Sequence, residues 1–167
     1  MPDIGVTVDG VRHDDEVEAW LPLARYLRER VGGGGVVPPE CKTAECGGCT
    51  VLVDGAAVKS CLMLAVQADG CAVTTVEGLA DDLVARPLAR ALRRHAQRCA
   101  RCLPGLVVAA TDLLRNRPDP SEQEIHEGLA GVRCRCGDDA DVVRAVRAAA
   151  DSLGVWGTRQ TGVREVG

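Results

Sequence analysis

The stretch Glu40-Cys41-Lys42-Thr43-Ala44-Glu45-Cys46-Gly47-Gly48-Cys49-Thr50 decides the reading of this chain. With Cys61 further on, its thiols have the C-x4-C-x2-C…C spacing of a plant-type 2Fe-2S site, in which each iron takes two thiolates. Glycines at 47 and 48 let backbone wrap closely around inorganic sulfide. Consecutive amide N–H groups in such a loop form an anion-binding nest that offsets negative charge.

Working outward, four more of the nine cysteines form a second set. Cys99 and Cys102 are a C-x2-C pair, and Cys134 and Cys136 are a C-x-C pair inside Arg133-Cys134-Arg135-Cys136. Zinc is the rival for this set, although zinc sites seldom close with C-x-C. Cys71 is left over and reads as a small buried hydrophobe. A disulfide framework needs an oxidising compartment, and Met1-Pro2-Asp3-Ile4-Gly5 has neither a basic nor an apolar leader segment. A reduced, cytoplasmic protein is the expectation.

Composition narrows the function classes. The chain has 167 residues and a net charge of −4, with two Trp, one Tyr and no Phe. The core must therefore be built from Val, Leu and Ala, and the acidic balance with few stacking rings argues against a nucleic-acid module. No apolar run reaches membrane-spanning length. Two small cores in such a chain would each be marginal, so bound metal would contribute to folding. Gly35 through Lys42-Thr43 has the wrong spacing for a phosphate-binding loop.

Ile4 to Val8 alternates and runs into Asp9-Gly10, and Val51 to Val58 contains Asp54-Gly55, so two hairpins are expected. Leu21 to Arg30 predicts a helix with Leu23, Tyr26 and Leu27 on one face, ended by Gly32 to Gly35. Val73 to Val76 predicts a late strand. This order suggests an α+β ubiquitin-like roll over residues 1–79.

From Asp81 the period becomes helical. Leu83, Leu88, Ala91 and Leu92 form one stripe, and Leu106 to Leu114 a second helix after Pro104-Gly105. Ser121-Glu122-Gln123-Glu124 predicts a capping box, and Asp138 or Asp139 caps a fourth helix through Val142, Val143 and Val146. Residues 80–152 thus read as an all-α four-helix unit around the second cysteine set, and 153–167 as a tail. His13, His95 and His126 lack metal-site spacing. Asp14-Asp15-Glu16 reads as an exposed acidic face.

The chain resembles the small iron-sulfur subunit of the molybdenum hydroxylases, the group of xanthine dehydrogenase, carbon monoxide dehydrogenase and aldehyde oxidoreductases. The resemblance is carried by Cys46 to Gly55, Ser60 to Ala65, Val73 to Leu79, Pro104-Gly105 and Cys134-Arg135-Cys136, in order over residues 3 to 150. It implies a β-grasp ferredoxin domain followed by a four-helix domain, each holding one 2Fe-2S cluster. It also implies partner subunits: a large one with a molybdenum pterin and a medium one with FAD, assembled as a dimer of heterotrimers. Electrons would pass from molybdenum through Cys99, Cys102, Cys134 and Cys136, then through Cys41, Cys46, Cys49 and Cys61, to the flavin. A free-standing ferredoxin-like carrier, or a relay for a non-standard large subunit, are the alternatives.

The chain departs from the family pattern in several places. Arg98 stands where the family usually has a glutamine that contacts the pterin, and Gln97 lies one residue earlier. Gly137-Asp138-Asp139 replaces Thr-Gly-Tyr, Val132 replaces asparagine, and Glu40 and Ala44 replace glycines. Arg98, Arg101, Arg133 and Arg135 flank the second thiol set, where fixed positive charge favours a reduced cluster.

Overall fold

The protein is described by a computed structural model covering residues 1–32, 41, 44–96, 99–133 and 136–160, with the side chains of 155–160 excepted. Both Asp-Gly signals make the expected hairpins. Strand β1 (Asp3–Val8) pairs antiparallel with β2 (Val11–Glu16), and β3 (Thr50–Val53) with β4 (Ala56–Lys59). Asp9 and Asp54 have φ of 49° and 47° and are each followed by a glycine at positive φ, the left-handed pair that a two-residue turn requires.

Between the hairpins, α1 (Leu23–Tyr26) opens behind Pro22 and widens into a π turn, Leu27–Val31, that stops at Gly32 with φ of 80°. A short strand β5 (Ala72–Thr74) then enters the middle of the sheet, parallel to β1 and antiparallel to β3, giving the order β2-β1-β5-β3-β4. One face of the sheet packs on α1 and the π turn: Val6, Val51 and Val73 share a core with Leu23, Tyr26 and Leu27, all fully buried. The hydroxyl of Tyr26 leaves this core by donating to Asp15 at 2.7 Å.

Leu52 points the other way and belongs to the second core. That core is formed by α2 (Ala85–His95), α3 (Leu103–Asn116), α4 (Glu122–Gly128) and α5 (Asp139–Gln160). Helix α3 is its axis, buried from Gly105 through Thr111 and again at Leu114. The Thr111 hydroxyl is satisfied within the helix by the Val107 carbonyl at 2.7 Å. Without phenylalanine the helices approach through small side chains, Ala145 and Ala149 of α5 among them, against Leu88 and Leu92 of α2.

The helix ends follow the sequence closely. Ser121 and Glu124 form the expected capping box, and Asp138 caps α5 through the amide of Ala140 at 3.0 Å. Two expectations are corrected. Leu83 is 85% exposed and precedes α2, because Asp82 accepts from the amides of Val84 and Ala85 and starts the helix after it. Cys71 is half-buried rather than enclosed. Past residue 152, the backbone of α5 stays helical to Gln160. Among the described residues no helix is long and apolar enough to cross a membrane.

Candidate metal centre

The first thiol set is organised by the β3–β4 hairpin. Its tight turn fixes the register Thr50↔Lys59, which brings Cys49 and Cys61 to the same open end. Ser60, fully buried, locks that end: its amide donates to the Cys49 carbonyl at 3.3 Å and its hydroxyl at 2.6 Å. Upstream, Gly47 at φ of 67° turns the chain, and its carbonyl accepts from the Thr50 amide at 3.0 Å. The Gly48 amide donates to the Cys46 sulfur at 3.4 Å, one of the nest donors expected from the Gly47-Gly48 pair.

The thiols of this set act on one another electrostatically. Cys61 is pushed up to about 12, by burial first, then by its hydrogen bond with Cys49 and the charges of Cys49, Cys41 and Cys46. Cys46 is also raised, by burial first and then by Cys41 and Cys49, against the opposing help of the Gly48 amide. Neighbouring thiolates ionise together only when a cation balances them, which is the chemistry of a metal ligand set.

The second set gathers at helix ends. Cys102 is buried at the entrance to α3, Cys99 lies one turn earlier with its carbonyl accepting from Leu103 at 3.1 Å, and Cys136 precedes the cap of α5. The sulfurs of Cys99, Cys102 and Cys136 all lie within 4.8 Å of one another. Cys102 is 3.7 Å from Cys99 and 3.4 Å from Cys136, and the Cys99 amide donates to the Cys136 sulfur at 3.3 Å. Cys134, Arg135 and Arg98 lie outside the described residues. Arg101 and Arg133 are exposed. No disulfide joins any of the described cysteines. A compact all-thiolate donor set beside a helix N-terminus fits an iron-sulfur cluster, whose negative charge the dipole favours.

The two thiol loops are packed directly on each other, a relationship that spacing does not reveal. A Cβ on Gly47 would lie 2.5 Å from the Gly131 carbonyl, and one on Gly105 would lie 2.0 Å from the Gly47 carbonyl. The Arg133 amide donates to the Glu45 carbonyl at 3.3 Å across the same seam. Asp112 of α3 adds a tie to the edge strand, accepting from the Ala57 amide at 3.3 Å. Gly131 and Lys59 are thus site residues that motif reading passed over, while Ser60 and Gly105 stood in the matching stretches with no role attached. Pro104-Gly105 was the one available signal, since a glycine in a helix's first turn costs stability unless a close approach requires it.

Comparison with known proteins agrees with this geometry. Residues 75–147 match the model of the [2Fe-2S] binding domain family. The chain is 41% identical to the nicotine 6-hydroxylase small subunit of Paenarthrobacter nicotinovorans, over 91% of this chain and 92% of that one. It is 40% identical to the xanthine dehydrogenase iron-sulfur-binding subunit of Escherichia coli O157:H7, over 80% and 84%. Among solved structures, quinoline 2-oxidoreductase from Pseudomonas putida 86 superposes with a TM-score of 0.80 at 37% identity, covering 97% of this chain and 98% of that chain. Aldehyde oxidoreductase from Desulfovibrio gigas gives a TM-score of 0.82 at 32% identity, over 93% of this chain and 18% of that longer one. With thiols gathered at two packed loops and relatives of this length and identity, the chain belongs to the family of small iron-sulfur subunits of the molybdenum hydroxylases and is a subunit of an oxidoreductase.

Proposed function

We infer that this chain relays electrons from a molybdenum-pterin subunit to an FAD subunit of a heteromeric complex, through two 2Fe-2S clusters. Cys41, Cys46, Cys49 and Cys61 would hold one, in a β-grasp ferredoxin-like domain over residues 1–79. Cys99, Cys102, Cys134 and Cys136 would hold the other, in a helical domain over 80–152. When bound, each cluster supplies a one-electron carrier.

The residues of the chain do the rest. Gly47, Gly48 and Gly105 let the two loops meet without side chains between them, which shortens the path between the thiol sets. Ser60 and the β3–β4 register hold Cys49 and Cys61 in place, and burial of Cys102 and Cys49 excludes water. The single observation that carries the reading is the direct contact between the two thiol loops. A free-standing carrier would need the first thiol set alone, whereas here the second is built into the same seam.

Substrate chemistry would take place on the molybdenum subunit. The names of the relatives, nicotine 6-hydroxylase and quinoline 2-oxidoreductase among them, point to a nitrogen heteroaromatic ring as the substrate of the complex. Purification of the native complex tests the reading. Two larger partners, one with FAD and one with a pterin, are expected, with about four irons per small subunit and two distinct EPR signals on reduction. A single signal with about two irons, or an isolated small chain, would overturn it.

A further inference from the structure

Lys59 ends β4 two residues before Cys61 and stands opposite Thr50 in the hairpin register. Its ammonium donates to the Ala44 carbonyl at 2.7 Å, inside the loop between Cys41 and Cys46. On its other side lies the second thiol loop: a Cβ on Gly131 would be 3.4 Å from Lys59 Cε and 3.8 Å from Nζ. The side chain is only partly exposed. One cation is therefore held by backbone at the junction of both thiol loops, beside the seam formed by Gly47, Gly105 and Gly131.

We propose that Lys59 is a positioning residue that acts through its charge, its ammonium, fixed between the loops, raising the reduction potential of the cluster on Cys41, Cys46, Cys49 and Cys61. The inference rests on the two-cluster reading above. A reduced cluster carries one more negative charge than the oxidised one, so a nearby fixed cation stabilises the reduced state. The hydrogen bond to Ala44 matters because a long, solvated lysine would be screened, whereas one tied at both the β4 backbone and the loop stays close. The effect falls mainly on the first cluster, whose loop supplies the acceptor, so Lys59 biases the order of the two potentials and with it the direction of electron flow.

The test is a redox titration followed by EPR on the purified complex, with the two signals read separately. In Lys59→Met, the ratio of reduced to oxidised first cluster at the wild-type midpoint should fall about tenfold, equivalent to about 59 mV for one electron. Lys59→Arg, which keeps the charge, should stay within about threefold of wild type. An unchanged midpoint in Lys59→Met, or an equal fall in Lys59→Arg, overturns the proposal. If Lys59→Met does not load iron, Lys59→Gln keeps a donor and drops the charge, and an unchanged midpoint there is equally decisive against it. Iron content of the wild type separates this from the parent reading: two signals uphold the relay whatever Lys59 does, and an iron-free wild type removes it.

Discussion

The carbonyl oxygen of Gly47 occupies the space that any side chain at position 105 would need, 2.0 Å from an ideal Cβ on Gly105. The contact is backbone against backbone, so no rotamer change relieves it. Gly105→Ala must push the α3 entrance away from the first thiol loop, at a cost of about 3 kcal/mol. Lower thermal stability is expected, together with lost iron, measured by calorimetry and iron assay. A variant with full iron and unchanged melting would show that the seam yields easily.

Ala44 takes the left-handed conformation, with φ of 57°, which favours glycine. A Cβ there is strained by about 1 kcal/mol or more, which glycine relieves at a smaller entropic cost in the unfolded chain. Ala44→Gly should therefore raise the melting temperature by about 2–4 °C for a chain of this size. A lower melting temperature would mean that the loop geometry here differs from that described.

Cys102 and Cys49 serve different thiol sets, so their loss should be separable. Cys102→Ser is expected to remove one EPR signal and about two irons while the other signal persists. Cys49→Ser should remove the opposite signal. Loss of both signals in either variant would indicate that the sets assemble only together.

Asp82 starts α2 and ties it to α3: it accepts from the amides of Val84 and Ala85 at 2.9 and 2.8 Å and from Arg115 at 2.6 Å. Burial alone would raise its pKa, but the Ala85 amide, Arg115 and the Val84 amide together hold it below its ordinary value of 3.8. Its folded-state value is depressed, so its contribution is complete above the unfolded value and disappears as pH falls through the folded one. Asp82→Asn should flatten the acid limb of a stability–pH curve below about pH 5 and leave the neutral limb parallel. Urea melts between pH 3 and 7 measure both limbs, and identical acid slopes would remove Asp82 as a contributor.

Tyr26 is fully buried except for the hydrogen bond it donates to Asp15 at 2.7 Å. Tyr26→Phe keeps the packing and loses that bond, so a destabilisation of about 1 kcal/mol is expected in urea melts. The effect should be absent in an Asp15→Ala background, which removes the acceptor.

What the sequence determined by itself is whatever short-range chemistry dictates. The Asp9-Gly10 and Asp54-Gly55 turns specify left-handed backbone, the Ser121 to Glu124 box satisfies its own amides, and cysteine spacing marks out two thiol sets. The turns and the capping box each depend on residues a few positions apart, so no knowledge of the fold was needed. Asp15 was legible only as an acidic face, because its partner lies on the far side of the β2–α1 connection. Leu83 was misread because helical period does not reveal that Asp82 caps the helix after it.

Tertiary structure alone decided the rest. That Leu52 faces the helices while Val51 faces α1, that Gly47 meets Gly105 and Gly131, and that Lys59 reaches Ala44 depend on the β3–β4 register and on where α3 docks. These contacts join segments separated by 15 to 84 residues, as in Lys59 with Ala44 and Gly47 with Gly131. Chain folding sets such distances through the packing of whole elements, and no local pattern encodes them.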